Sequence, residues 1–211
     1  MVDPEKFFQA ISMGKMDQVQ ELTQKALDAG EPPNKILQEG LIKSMERIGL
    51  LFKNNEIYIP EVLIAARAMH AGLDVLRPIL AKSTTTSAAK VILGTVRGDL
   101  HDIGKNLVGM MLEGGGFEVI DLGIDVPPEK FLQAAREKGA QVIGMSALLT
   151  TTMLQMKTTV DLIKAAGLQK EIKTIIGGAP VTAEFAQKIG ADGYAPDAAS
   201  AVQVVKGLVS L

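Results

Sequence analysis

The sequence predicts a protein of two parts: an N-terminal four-helix bundle, then an α/β doubly wound domain on a five-stranded parallel sheet. Three observations carry that prediction. Residues 1 to about 81 repeat apolar side chains at three- and four-residue steps and show no strand pattern. From Lys90 onward, short apolar runs of strand length alternate with amphipathic helical segments. Between the two, Lys82-Ser83-Thr84-Thr85-Thr86-Ser87-Ala88 is polar and lacks periodicity. The expected boundaries are 1–81 for the helical part, 82–89 for a linker and 90–211 for the α/β part.

Asp3-Pro4 starts the first helix through Phe7, Phe8 and Ile11, with Gly14 suited to its end. Met16 to Ala29 is the second, with Val19, Leu22, Ala26 and Leu27 on one face and Gly30 as its stop. Pro32-Pro33 breaks the chain before a third helix, in which Ile36, Leu37, Leu41, Met45, Ile48 and Phe52 recur at helical steps. Asn54-Asn55 turns, and Pro60 opens a fourth helix with Val62, Ala66, Met69, Leu73, Leu76 and Leu80 inward. Short loops between amphipathic helices make a bundle.

In the second part the expected strands are 90–96, 117–122, 141–146, 172–176 and a weak 192–194. The helices between them are roughly 104–113, 128–138, 151–166, 181–189 and 198–208. Such alternation requires right-handed crossovers and a parallel sheet. Five strands suggest a flavodoxin-like (Rossmann-type) domain of strand order 2-1-3-4-5.

Composition narrows the chemistry. Of 211 residues, 47% are apolar, enough for a full core, and the net charge of −2 leaves no basic footprint for nucleic acid. With no cysteine, disulfides, iron–sulfur clusters, thiolate zinc and cysteine nucleophiles are excluded. Two histidines, His70 and His101, cannot build a multi-histidine metal site in one chain. The N-terminus lacks a signal-peptide pattern and no apolar run spans a bilayer, so a cytoplasmic protein without membrane contact is expected.

Three loops at the C-terminal ends of strands one, three and four carry unusual residues. In an open parallel sheet that edge binds ligands. The first loop is Gly98-Asp99-Leu100-His101-Asp102-Ile103-Gly104-Lys105-Asn106, the second Ser146-Ala147-Leu148-Leu149-Thr150-Thr151-Thr152, the third Gly177-Gly178-Ala179-Pro180. A histidine oriented by a carboxylate two residues earlier can present a neutral nitrogen to a metal. Each element also has a plain structural explanation. A lone loop histidine is commonly a turn residue, Gly177-Gly178 a tight turn, and the hydroxyl residues N-caps for the helix at 151. His70 reads as a partly exposed packing residue, and Met110, Met111, Met153 and Met156 as core filling.

Taken together, Asp99-x-His101-x-x-Gly104, Ser146-x-Leu148 and Gly177-Gly178 resemble the corrinoid-binding motif of the cobalamin-dependent methyltransferase family. The helical half resembles that family's cap domain, so the likeness covers nearly the whole chain. It implies a cobalamin domain preceded by a bundle cap, and a base-off, His-on corrinoid with His101 as the lower axial ligand of cobalt. The resemblance further implies that Asp99 bonds the other imidazole nitrogen and that a hydroxyl near Thr152 continues the relay. Asp102 lies in the same motif. Gly104 would let the helix begin beside the displaced nucleotide tail. The tail would run past Ser146, Leu148, Thr150, Gly177 and Gly178, with Tyr194 and Asp197 in the last loop of that edge. In the cap, Phe52 and Ile59 would cover a cobalt-bound methyl; both also suit an ordinary bundle core, and for Ile59 the two readings weigh equally.

The function so implied is a methyl carrier without a complete catalytic site of its own. Its partners would be a substrate-specific methyltransferase, an acceptor methyltransferase using tetrahydrofolate or coenzyme M, and a reductive activation protein. An aliphatic bundle face could support a homo-oligomer. A cobalamin-dependent regulator is the alternative, but it would add a basic DNA-binding head, absent here. A mutase subunit would lack the cap. A plain flavin- or phosphate-binding domain leaves Asp99, His101 and Gly104 unexplained.

Overall fold

Asp3 accepts the Lys6 amide at 3.2 Å and Pro4 takes the first helical position, so α1 (Pro4–Ser12) begins where the capping residue and the proline together favour it. This computed structural model describes residues 2–80 and 89–209. Of the expected linker only Ala89 is among them. Backbone contacts divide the chain into two compact units, the helices that precede the sheet and the sheet with its own helices.

In the helical unit, α1 is followed by α2 (Met16–Asp28), which packs along α5 (Ile59–Leu80). The expected third helix is one continuous rod of three segments: α3 (Pro33–Lys35), a π-helical stretch at Ile36–Ile42, and α4 (Lys43–Lys53). The widened turns sit where Gly40 lets the Phe7 ring approach, since a Cβ at Gly40 would lie 3.1 Å from it. Ser44 Oγ donates to the Gly40 carbonyl at 2.6 Å. Ile36, Leu41, Met45, Ile48, Val62, Ala66, Met69 and Leu76 are buried as their spacing predicts. Leu37, Phe52, Leu73 and Leu80 are only half-buried, because they stand at the margin of their helices' apolar stripes. Helix α5 starts at Ile59, one residue before Pro60, with Glu61 accepting the Tyr58 amide at 3.0 Å.

The second unit alternates β1 (Lys90–Thr95), α6 (Ile103–Gly114), β2 (Glu118–Asp121), α7 (Pro128–Lys138), β3 (Val142–Ser146), α8 (Leu154–Ala165), β4 (Lys173–Gly177), α9 (Ala183–Ile189), β5 (Gly193–Tyr194) and α10 (Ala198–Leu208). All pairings are parallel and the strand order is 2-1-3-4-5. Central β1, β3 and β4 are buried nearly throughout while edge β2 is not, as expected of a sheet covered on both faces. Ile92, Phe131, Ile143, Met156, Val160 and Ile176 form the heart of one core face. Helix α8 begins three residues later than expected and Met153, not a hydroxyl residue, precedes it. No helix among the described residues is long and apolar enough to cross a membrane.

The register places Thr95, Ser146 and Gly177 side by side, so three loops leave the sheet at one edge. There the backbones are nearly touching. A Cβ at Gly177 would stand 2.9 Å from the Ala195 carbonyl oxygen. Gly178 has φ +125°, and a Cβ on it would stand 1.9 Å from the Ala147 carbonyl oxygen. Gly178→Ala is therefore expected to destabilise the protein by about 3 kcal/mol through backbone strain and overlap. A urea midpoint lowered at unchanged slope checks this; an unchanged midpoint refutes it.

Candidate functional site

After β1 the chain turns through the Asp99 amide donating to the Val96 carbonyl at 3.1 Å. This turn buries the Asp99 side chain completely. Its carboxylate collects five donors. Oδ1 accepts from His101 Nδ1 at 2.7 Å and from the His101 amide at 3.1 Å. Oδ2 accepts from the amides of Leu148 at 2.8 Å and Leu149 at 3.2 Å, and from Thr152 Oγ1 at 2.8 Å. Burial pushes the carboxyl up, but the bonds from the Leu148 amide, from His101 and from Thr152 outweigh it and hold Asp99 well below the usual carboxylate range.

An ionised Asp99 can only accept, so the neutral imidazole holds its proton on Nδ1 and offers a lone pair at Nε2. The His101 side chain is 52% exposed, and its carbonyl receives the Thr95 hydroxyl at 2.8 Å. A half-exposed imidazole of fixed tautomer is a ready metal ligand. Among the described residues no group of three or more His, Cys, Asp or Glu could hold a metal ion. A metal here would have to bring most of its own ligands.

The surroundings favour a flat apolar ligand. Leu100, Ile103, Leu148 and Leu149 are exposed beside the histidine in sequence or on the loop that anchors Asp99. Gly104 is in the first turn of α6, and a Cβ there would meet nothing within 4 Å. The protein's own packing gives no reason for that glycine, whereas a close ligand would.

The other expected site residues are placed as follows. Thr152 joins Asp99 directly, so its hydroxyl does not cap α8. Ser146 is half-buried at the end of β3, its carbonyl receiving the Val96 amide at 3.0 Å. Thr150 and Gly178 are exposed and Gly177 half-buried on the same edge. Asp102 is exposed and accepts Asn106 Nδ2 at 3.1 Å across the first turn of α6. Tyr194 is half-buried against the core. Asp197 caps α10, its Oδ1 accepting the Ser200 amide at 2.7 Å. Within the helical unit Phe52 is half-buried and Ile59 exposed, and His70 is half-buried on α5.

Sequence reasoning missed the two backbone amides on Asp99, for which no residue type is a signal. It also passed over Lys105, which is buried with its ammonium on Asp121 Oδ2 and, at 2.6 Å, on Asn106 Oδ1. A lysine in an otherwise apolar helical run is the signal that was available.

Residues 89–203 match the family model described as B12 binding domain, and residues 4–77 match a second model of the same description. The chain belongs to the family of B12-binding corrinoid proteins. Among its relatives, a corrinoid protein of Desulfitobacterium hafniense is 43% identical, covering 95% of this chain and 94% of the relative. Dimethylamine corrinoid protein 1 of Methanosarcina acetivorans is 42% identical over the same shares of each chain. Among solved structures, the methanol:cobalamin methyltransferase complex of Methanosarcina barkeri matches with a TM-score of 0.85 and 30% identity, covering 97% of this corrinoid protein and 78% of that chain. The cofactor of the family is cobalamin, and the residues around His101 fit it: one protein nitrogen for cobalt, an apolar rim for the ring, and a glycine at 104 whose open side leaves room for a close ligand.

Proposed function

We propose that this corrinoid protein carries a methyl group on cobalt between two methyltransferases, and that His101 Nε2 would be the protein's ligand to the metal. The observation that supports this reading is the buried Asp99, whose five donors fix the histidine tautomer. Bound cobalt supplies a nucleophile that accepts a methyl group and later gives it up. The chain's residues do the rest. Asp99 orients His101 and stabilises positive charge that ligation places on the imidazole. Thr152 and the 148–149 amides keep Asp99 ionised as the ligand's basicity is called upon. Asp102 and Gly104 border the start of α6 and would hold the nucleotide tail there. Ser146, Leu148, Thr150, Gly177, Gly178 and Tyr194 would contact that tail, and Phe52 and Ile59 would shield a bound methyl from water. The cap and cobalamin domains of this reading are residues 1–81 and 90–211.

The partners proposed are a substrate methyltransferase, an acceptor methyltransferase and a reductive activation protein, in the cytoplasm. One relative is named for dimethylamine and one structural neighbour for methanol. The methyl donor is therefore a property of the partner enzyme more than of this fold.

The test is reconstitution. After incubation with hydroxocobalamin and desalting, the protein should retain cobalamin near one to one. After reduction and exposure to an isotopically labelled methyl donor, label should elute with the protein. Failure to retain cobalamin rejects the reading, and retention without label rejects the carrier role.

A further inference from the structure

The loop between β2 and α7 grips the histidine loop from the other side of β1, and its key residue is strained. Asp125 has φ +53° and is one of two non-glycine residues at positive φ among the described residues. From that conformation its amide donates to the Asp99 carbonyl at 3.1 Å, and its Oδ1 accepts the Gly98 amide at 2.7 Å. One side chain and one backbone group thus hold the peptide groups on either side of the Gly98–Asp99 pair.

The loop is itself tied down. The Gly123 carbonyl receives the Thr95 amide at 2.9 Å, and the Val126 amide donates to the Thr95 carbonyl at 2.9 Å. The Gly123 amide donates to Asp121 Oδ1 at 2.9 Å, and the buried Lys105 ammonium holds Asp121 Oδ2. A glycine at 125 would relieve the strain but lose the acceptor for Gly98. The carboxylate is worth its strain only if the path of Gly98 and Asp99 matters.

We propose that Asp125 is a positioning residue for the cobalt ligand, fixing the backbone of Gly98 and Asp99 so that the Asp99 carboxylate meets His101 squarely. This rests on the reading of His101 as the axial ligand. The 148–152 loop anchors the Asp99 carboxylate, and Asp125 anchors the main chain behind it. Without the second anchor the carboxylate stays bound while the main chain swings, and the imidazole loses its alignment.

The experiment compares wild type, Asp125→Gly, Asp125→Asn and His101→Ala, each loaded with cobalamin. Two quantities are read: nitrogen splitting in the electron paramagnetic resonance spectrum of the Co(II) form, and the one-electron potential for reducing that form. Weakened histidine ligation destabilises the Co(II) form and raises this potential. In Asp125→Gly, cobalamin is retained near one to one and the ligated-to-unligated ratio falls about fivefold, the value of one lost hydrogen bond, raising the potential by about 40 mV at 59 mV per decade. Asp125→Asn keeps an acceptor for Gly98 and tolerates positive φ, so it stays within about twofold of wild type. The proposal is overturned if Asp125→Gly leaves the potential unchanged, or if asparagine is as impaired as glycine. It is equally overturned if the apo Asp125→Gly protein fails to fold by circular dichroism, which would make Asp125 part of the scaffold. If nitrogen-15 labelling of the protein's histidines leaves the wild-type nitrogen splitting unchanged, the His101-ligand reading itself is wrong, which is a separate result.

Discussion

Replacing His101 by alanine is expected to remove the nitrogen-ligated spectrum of the bound corrinoid and to weaken its retention by about 10- to 100-fold. The magnitude follows from what is lost and what stays. The single imidazole at the sheet edge disappears, and with it the Nδ1 bond to Asp99. The apolar rim at Leu100, Ile103 and Leu148 and the open space beside Gly104 are untouched. Binding should therefore be weakened, not abolished. The fold should survive, because the side chain is half-exposed and Asp99 keeps the amides of His101, Leu148 and Leu149 and the Thr152 hydroxyl. Ultraviolet–visible spectra of variant and wild type, recorded after desalting, check it. A variant spectrum identical to that of wild type would sink the ligand assignment.

Asp99→Asn should destabilise the protein as strongly as Gly178→Ala. The carboxylate satisfies five donors with two oxygens, while asparagine offers one oxygen and an NH₂ that must face donors. Charge-assisted bonds are lost and at least one buried donor is left opposed, a loss of about 3 kcal/mol. Whichever way the amide turns, the Nδ1 proton of His101 is no longer held by a charge. Cobalamin should still bind, with an altered reduction potential. The pH dependence gives an independent check. Because Asp99 is held below its ordinary value of 3.8 in the folded state, its contribution is complete at neutral pH. It begins to fade as the pH falls below that value and is lost as the folded carboxyl takes up its proton. Urea midpoints of wild type should thus drop on acidification below about pH 4 more steeply than those of Asp99→Asn. Parallel curves would show that Asp99 carries no such linkage.

Periodicity made most of this architecture readable. Strands at 90–95, 118–121, 142–146 and 173–177 fall within a residue or so of expectation because β-branched runs bounded by glycine have few other uses. The π-helical stretch at Ile36–Ile42 was not legible, since what distinguishes it is the Phe7 ring against Gly40, a contact between separate helices. At the site, side chains with distinctive chemistry announced themselves: Asp99, His101, Thr152. Their supports did not. The 148–149 amides belong to leucines, whose identity says nothing about a donor. Asp125 looks like any loop aspartate until its φ is known. Asp197 was legible as part of the edge, but its carboxylate is spent on capping α10.

The distances along the chain between Asp99 and its partners have a consequence for biosynthesis. Leu148, Leu149 and Thr152 lie 49, 50 and 53 residues downstream of Asp99. Both strands that flank β1 also follow it in the chain. A ribosome releasing this polypeptide from its N-terminus delivers the histidine well before the groups that set its tautomer. Until residue 152 has emerged, Asp99 is an ordinary solvated carboxylate and His101 an unoriented imidazole. Cofactor capture through an oriented His101 therefore waits until the loop that follows β3 has emerged.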